Sequence, residues 1–259
     1  MKVRRFLLLG ALVCGFGTYG CGEPEEAQRF ELPVLVDGDS LEEFETNRGY
    51  QIDLEEVLFR VERVEFTVGG EAHGEASLLP RLRQMVIGEA YAHPNHSAGG
   101  EVAGEIVGPF DLHWLLGEMT EIEVGTFLEG NYGGYNLFLT VADGYSEVAE
   151  GMTGRISGTA SKNGEQIPFE VALVGQNTEI YGGALSGNLP DEAVTAVALE
   201  FLAYEPHSSW SIFDRVEFSE LSQDQDGVVR IESGSLAYAR IQTALASHEH
   251  YGGRFVTGE

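Results

Sequence analysis

Positive charge is scarce in this chain of 259 residues, which has 15 lysine and arginine residues against 42 aspartate and glutamate residues. Lysine occurs only at Lys2 and Lys162. Nucleic acids are bound largely through lysine and arginine contacts to phosphates, so this composition argues against a nucleic-acid partner. A formal charge of −27 also repels anionic membrane surfaces, and its simplest role is to keep the protein soluble and unassociated.

Long hydrophobic runs are also lacking, and the one apolar stretch near the N-terminus has the features of a signal peptide. Residues 1–5 are basic, and the apolar run Phe6–Val13 that follows is too short to span a bilayer. The sequence Thr18-Tyr19-Gly20-Cys21 resembles the lipobox of bacterial lipoproteins, in which a small residue precedes a cysteine that receives lipid. We therefore expect cleavage after residue 20, lipidation at Cys21 and, because Gly22 follows, sorting to the outer membrane.

Cysteine is the third scarce residue, since the chain has only Cys14 and Cys21. Cleavage of the signal peptide leaves Cys21 alone, so the mature protein has no cysteine pair for an internal disulfide and no free thiol for catalysis. The predicted organisation is a signal peptide over residues 1–20, a lipidated tether over 21–29 and a single β-rich domain over 30–259.

Alternation of apolar and polar residues is the main pattern in the domain. Runs with a period of two residues, separated by glycine-rich turns, predict many short strands. The fold class is therefore predicted to be mainly β, an antiparallel β-sandwich or open barrel with a C-terminal α-helix. Residues 69–100 are the least regular part and are expected to form a long loop.

Local signals give more detailed expectations. Pro33 indicates that the first strand lies at an edge, and a change of phase near Glu62 indicates a β-bulge. The sequence Lys162-Asn163-Gly164 predicts a tight hairpin turn. Ser233 or Ser235 is expected to cap a helix over about 236–247, which Gly252-Gly253 would stop.

Four of the seven histidines lie in two short clusters, His93-Pro94-Asn95-His96 and His248-Glu249-His250. A tight turn can bring His93 and His96 together, and residues i and i+2 of an extended segment face the same side. Imidazole-only sites suit copper or zinc. We predict a transition-metal site at His93, His96, His248 and His250, most simply for copper, with zinc as the alternative. Exposed loop histidines with ordinary hydrogen bonds are the competing interpretation.

Three further residues are possible additions to this site: Trp114, Trp210 and His207. Trp114 falls in a predicted strand and is more simply a core residue, whereas Trp210 falls in an irregular segment. The negative end of a helix dipole would favour protonated histidine at His248 and His250. The sequence Asp224-Gln225-Asp226-Gly227 partly resembles a calcium loop but is more simply a turn.

The motifs AYAHPNHSAGGEVAGEI (90–106) and DGVVRIESGS with ASHEHYGG (226–253), together with the lipobox, resemble a group of uncharacterised bacterial surface lipoproteins of the myxobacterial type. The histidine pairs are also similar to those of the secreted copper-binding surface proteins of methane-oxidising bacteria. That second resemblance implies copper held by histidines, His248 and His250 among them, beside a kynurenine formed from a tryptophan, here Trp114 or Trp210.

Signatures of enzymes are missing. The chain has no Gly-x-Ser-x-Gly, no His-Glu-x-x-His and no phosphate-binding glycine loop. The sequence therefore predicts a non-enzymatic, lipid-anchored surface or periplasmic protein that binds copper through its histidine clusters. The alternative is a metal-free adhesion or ligand-binding β-module.

Overall fold

The computed structural model describes residues 28–41, 43–69, 100–115, 119–175 and 177–258. Within these ranges the chain is mainly β, as the alternating sequence pattern predicts. The strands are β1 (Arg29–Asp37), β2 (Phe44–Glu45), β3 (Gln51–Val68), β4 (Glu101–His113), β5 (Thr120–Leu128), β6 (Gly130–Leu139), β7 (Met152–Lys162), β8 (Glu165–Val174), β9 (Thr178–Leu189), β10 (Val194–Phe201), β11 (Val229–Ile231) and β12 (Tyr251–Thr257).

Eight of these strands form a closed circuit of pairings, in the order β3-β4-β5-β1-β10-β12-β9-β6 and back to β3. The circuit closes because β3 is 18 residues long. Its second half pairs with β4 on one side and β6 on the other, and its first half pairs with β7. The β1–β10, β12–β9 and β11–β8 pairings are parallel, and the others are antiparallel.

The β7–β8 hairpin extends the sheet away from the closed circuit, with β11 at its edge. Its turn is the predicted one, because Asn163 and Gly164 have φ angles of +54° and +84° and Lys162 pairs with Glu165. The predicted bulge near Glu62 is also confirmed, since the register shifts between Val61 and Arg63 in the pairings of β3 with both β4 and β6.

One expectation about the strands is wrong, and one strand was not expected. β1 is not an edge strand, because it lies between β5 and β10. Its ladder with β10 begins only at Val34, so the missing N–H of Pro33 falls just outside that ladder. The sequence also gave no expectation of β12, in which Gly252 and Gly253 continue the sheet instead of only stopping a helix. A β-carbon at residue 253 would lie 3.0 Å from the carbonyl oxygen of Ala198, so the glycine allows a close backbone approach.

A cluster of aromatic side chains fills the core beside the site described below. Trp114 is fully buried, and its ring centroid lies 5.4 Å from that of Phe201 and 6.4 Å from that of Tyr251. Phe59 completes the cluster at 5.7 Å from Phe201. Trp114 is therefore a core residue, as its place in a strand pattern suggests.

The C-terminal helix, α1 (Leu236–Leu245), begins where the sequence indicates. Ser235 is its N-cap, and the Ser235 hydroxyl accepts a hydrogen bond of 3.1 Å from the N–H of Tyr238. The buried face of α1 carries Ala237, Tyr238, Ile241 and Leu245. None of the helices in the described ranges has the length and apolar character required to cross a bilayer.

Candidate functional site

An open groove of about 910 Å³ runs between α1 and the segment that follows β10. One wall is the outward face of α1 together with residues 246–250, and the other is formed by Glu205 and residues 210–215. This volume falls within the usual range for small-molecule sites, about 300–1,000 Å³. A second cavity beneath α1 measures only about 30 Å³. Of these two cavities, the groove is the one with room for a ligand.

The wall provided by α1 follows from the spacing of its residues. Leu236, Ala239, Arg240 and Thr243 recur at positions i, i+3, i+4 and i+7, which lie on one side of a helix. This face is the one opposite the buried stripe. Leu236 keeps 67% of its surface exposed, so the wall presents an apolar contact at the start of the helix and polar side chains further along.

The opposite wall has unusual backbone geometry. Ser209 and Arg215 have φ angles of +57° and +66°, in the left-handed region that non-glycine residues rarely adopt. Asn47 stabilises the backbone at Arg215, because its side-chain Oδ1 accepts a 3.0 Å hydrogen bond from the N–H of Arg215. Between them lies Trp210, which is 49% exposed, and the guanidinium of Arg215 lies 4.3 Å from the centre of the Trp210 ring. Strained backbone of this kind is often found at ligand sites.

His250 lies in the floor of the groove and is completely buried. Its Nδ1 is 2.8 Å from the carbonyl oxygen of Leu202. A carbonyl can only accept a hydrogen bond, so Nδ1 carries the proton and, in the neutral ring, Nε2 bears a lone pair. This Nε2 has no hydrogen-bond partner among the described residues and lies 3.8 Å from Oε1 of Glu205.

Burial lowers the pKa of His250, although the hydrogen bond to Leu202 and the nearby carboxylate of Glu205 act in the opposite direction. Glu249 and Asp214 add smaller effects that raise the pKa. The pKa of His250 is therefore shifted in the direction opposite to the one that a helix dipole alone would give. Removal from water outweighs the dipole because the imidazole lies within the core, against the ring of Phe201.

His248 and His250 do not lie on an extended segment. The residues His248–His250 form a short 3-10 helix between α1 and β12. The two-residue spacing therefore does not place both imidazoles on one side as it would in a strand, and His248 is partly exposed while His250 is buried. Both line the groove.

His93 and His96, the other half of the predicted metal site, lie outside the described residues, as does the predicted lipidation site Cys21. His250 and Trp114 pack against the same phenylalanine ring, that of Phe201. Across the described ranges, no group of three or more His, Cys, Asp or Glu side chains comes close enough to hold a metal ion.

The three residues considered as additions to the metal site lie in different environments. Trp114 is in the core, and its Nε1 has no hydrogen-bond partner among the described residues. Trp210 lines the groove and is half-exposed. His207 is exposed in the loop after β10 and is not among the groove residues.

Sequence reasoning missed Glu205, Arg215 and Arg240, which supply much of the charge in the groove. One signal was available for Arg215, which follows Trp210 by five residues in an irregular segment of a chain with only 15 basic residues. No protein-family model, curated protein or solved structure matches this chain.

Proposed function

We propose that this protein is a ligand-binding β-domain held at a membrane by lipid on Cys21, with its groove facing the periplasm or the cell surface. The observation that carries the proposal is the 910 Å³ groove between α1 and residues 205–215, into which Trp210 and Leu236 project exposed apolar surface. Concave sites that combine exposed aromatic surface with a few polar groups are typical of small-molecule binding.

The rigid frame around the groove supports a binding role. α1 is fixed to the sheet because the Tyr238 hydroxyl accepts a 3.0 Å hydrogen bond from the N–H of Val174. The Tyr251 hydroxyl donates a 2.8 Å bond to the carbonyl oxygen of Leu245, at the end of α1. A preformed site loses less conformational freedom on binding, which favours affinity.

The proposal is tested by filling the groove. Ala239 is exposed on the groove wall, and Ala193 is an exposed alanine in the turn before β10, away from the groove. Wild type, Ala239→Trp and Ala193→Trp are screened by thermal shift against a panel of soluble sugars, organic acids and short peptides. Compounds that stabilise wild type and Ala193→Trp but not Ala239→Trp support the proposal. Equal stabilisation of all three proteins would refute it.

A second candidate function, capture of copper, is supported by the lone pair on Nε2 of His250. This nitrogen has no hydrogen-bond partner among the described residues and faces Oε1 of Glu205 at 3.8 Å. Imidazole nitrogen and carboxylate oxygen are both ligands for copper and zinc. A bound ion would require further ligands, which His93, His96 and His248 are proposed to supply.

Copper titration of the purified protein tests this second candidate. The variant in which His93, His96, His248 and His250 are all replaced by alanine is compared with His207→Ala, which removes an exposed histidine outside the groove. Loss of binding in the fourfold variant alone supports copper capture. Unchanged binding in the fourfold variant would rule it out.

The lipid anchor is tested independently of either ligand. Metabolic labelling with a fatty acid, followed by membrane fractionation, is carried out on wild type and Cys21→Ser. We expect label and membrane association in wild type and neither in the variant. Label retained after Cys21→Ser would place the lipid elsewhere.

A further inference from the structure

We infer that the ligand of the groove is a small organic monoanion, with one carboxylate next to a ring that presents an apolar face. This inference rests on the proposed binding function and adds the chemical class of the ligand. The carboxylate would be held by Arg215 and Arg240, and the ring would pack beside Trp210, where these three residues line the same groove.

The first argument is the state of the two arginines. Most cationic side chains in the described ranges form salt bridges with carboxylates: Arg60, Arg63, Arg155, Lys162, Arg230 and Arg254. Arg215 and Arg240 form none with any carboxylate there, although the chain has 42 acidic residues. They are also neighbours, because Nη1 of Arg240 donates a hydrogen bond to the carbonyl oxygen of Arg215. Two arginines that line one groove and form no salt bridge with a described carboxylate favour binding of an anion.

The acidic residues beside them do not supply a counter-ion, because they are directed elsewhere. The Asp214 carboxylate accepts hydrogen bonds from the N–H of Asn47 at 2.9 Å and from the Ser211 hydroxyl at 2.6 Å. The Glu205 carboxylate accepts a hydrogen bond from the Ser208 hydroxyl and faces His250. Neither of these carboxylates, nor that of Glu249, the third acidic residue lining the groove, forms a salt bridge with Arg215 or Arg240.

The second argument is the exposed ring of Trp210. The guanidinium of Arg215 lies 4.3 Å from the ring centre, which fixes the positive group next to an aromatic surface that is 49% exposed. A ligand that offers a flat ring and an acid group to this pair makes one apolar and one charge-assisted contact. An aromatic acid offers its flat ring, and a sugar acid can make the same pair of contacts through its carboxylate and the apolar C–H face of its pyranose ring.

The net charge of the protein argues against a ligand with many negative charges. A formal charge of −27 repels polyanions, so a strongly charged polymer would approach against the field of the whole surface. At physiological salt the repulsion from distant surface charges is screened beyond about 8 Å. A small anion within the groove therefore interacts mainly with the charges that line it, among them the two arginines. A single carboxylate fits these opposing conditions.

The inference is tested by isothermal titration with 4-hydroxybenzoate and D-glucuronate, each compared with its neutral counterpart, 4-hydroxybenzamide or D-glucose. The two acids distinguish the aromatic from the sugar source. Variants are Arg215→Gln and Arg240→Gln, with Arg29→Gln as the control for loss of one exposed charge far along the chain. We expect at least one acid to bind, its neutral counterpart to bind at least about tenfold more weakly, and either groove variant to lose at least about tenfold in affinity.

Three results would overturn the inference: neither acid binding at millimolar concentration, equal binding of acid and neutral counterpart, or unchanged affinity in both groove variants. The groove-filling comparison of Ala239→Trp with Ala193→Trp is scored separately. A neutral compound that depends on the open groove would leave the binding function in place and refute only the anionic ligand.

Discussion

The Nε2 atom of His250 and Oε1 of Glu205 face each other at 3.8 Å, and in the neutral ring both are hydrogen-bond acceptors. The arrangement persists because the Leu202 carbonyl fixes the proton on Nδ1 at the other side of the ring. A proton, a cation or a donor group between the two atoms would relieve their repulsion. Protonation of His250, in the floor of the groove, is therefore expected to make the stability of the protein depend on pH.

Stability is predicted to decrease in mild acid. Burial lowers the pKa of His250 in the folded protein below its unfolded value of about 6.5, so the unfolded chain binds more protons between those two values. Stability therefore rises with pH across that interval, and the contribution of His250 is fully present above about pH 6.5. Denaturant unfolding at pH 7.5 and pH 5.0 should show a loss in wild type that is smaller in His250→Asn.

Glu205→Gln provides the complementary variant. The carboxylate of Glu205 raises the pKa of His250, so its removal should lower that pKa further and extend the pH interval over which stability is lost. Long-range proton–nitrogen NMR of the imidazole measures both the pKa and the tautomer. A proton on Nε2 at neutral pH, or a higher pKa in Glu205→Gln, would contradict this description of the groove floor.

The two tryptophans are predicted to differ sharply in their effect on stability. Trp114 is fully buried among Phe59, Phe201 and Tyr251, so Trp114→Ala should cost about 3–5 kcal/mol of unfolding free energy. Trp210→Ala removes a half-exposed side chain and should change stability by less than about 0.5 kcal/mol. Chemical denaturation checks both values, and similar costs for the two variants would show that Trp210 is structural.

Replacing Arg215, whose backbone is strained, by glycine is predicted to raise stability and to weaken binding in the groove. Its φ of +66° costs about 1–2 kcal/mol for a residue with a side chain, and glycine adopts that angle freely. Arg215→Gly should therefore raise the free energy of unfolding by about 0.5–1 kcal/mol while weakening binding in the groove. Arg215→Gln keeps the strain and serves as the control. Lower stability in Arg215→Gly than in Arg215→Gln would show that the strain is not relieved.

The sequence predicted those structural features that depend on residues close together in the chain, such as two of the turns. The Asn163-Gly164 turn needs positive φ angles, and the turn at Asp224 forms because its carboxylate accepts hydrogen bonds from the N–H groups of Asp226 and Val228 at 2.8 and 3.0 Å. Each signal lies within a few residues of the structure that it specifies.

The parts that could not be predicted depend on residues far apart in the chain. β1 is interior because β10 pairs with it from Val34 onward, some 160 residues later, and β12 is a strand because two glycines fit against β10 and β9. The groove has the same origin. His250 belongs to a histidine cluster that the sequence shows, but its neighbours come from distant parts of the chain. Arg215 meets Arg240 through the packing of α1, and Glu205 meets His250 because β10 pairs with β12 as far as Phe201 and Tyr251.

The most direct measurement of the central claim uses the fact that the chain has two tryptophans, which give two indole N–H signals in a proton–nitrogen correlation spectrum. The protein is titrated with the best-bound compound from the groove-filling screen. Binding in the groove predicts that the Trp210 signal, assigned through Trp210→Phe, shifts progressively while the signal of the buried Trp114 stays in place. Saturable binding that leaves the Trp210 signal unmoved would contradict a ligand site between α1 and residues 205–215.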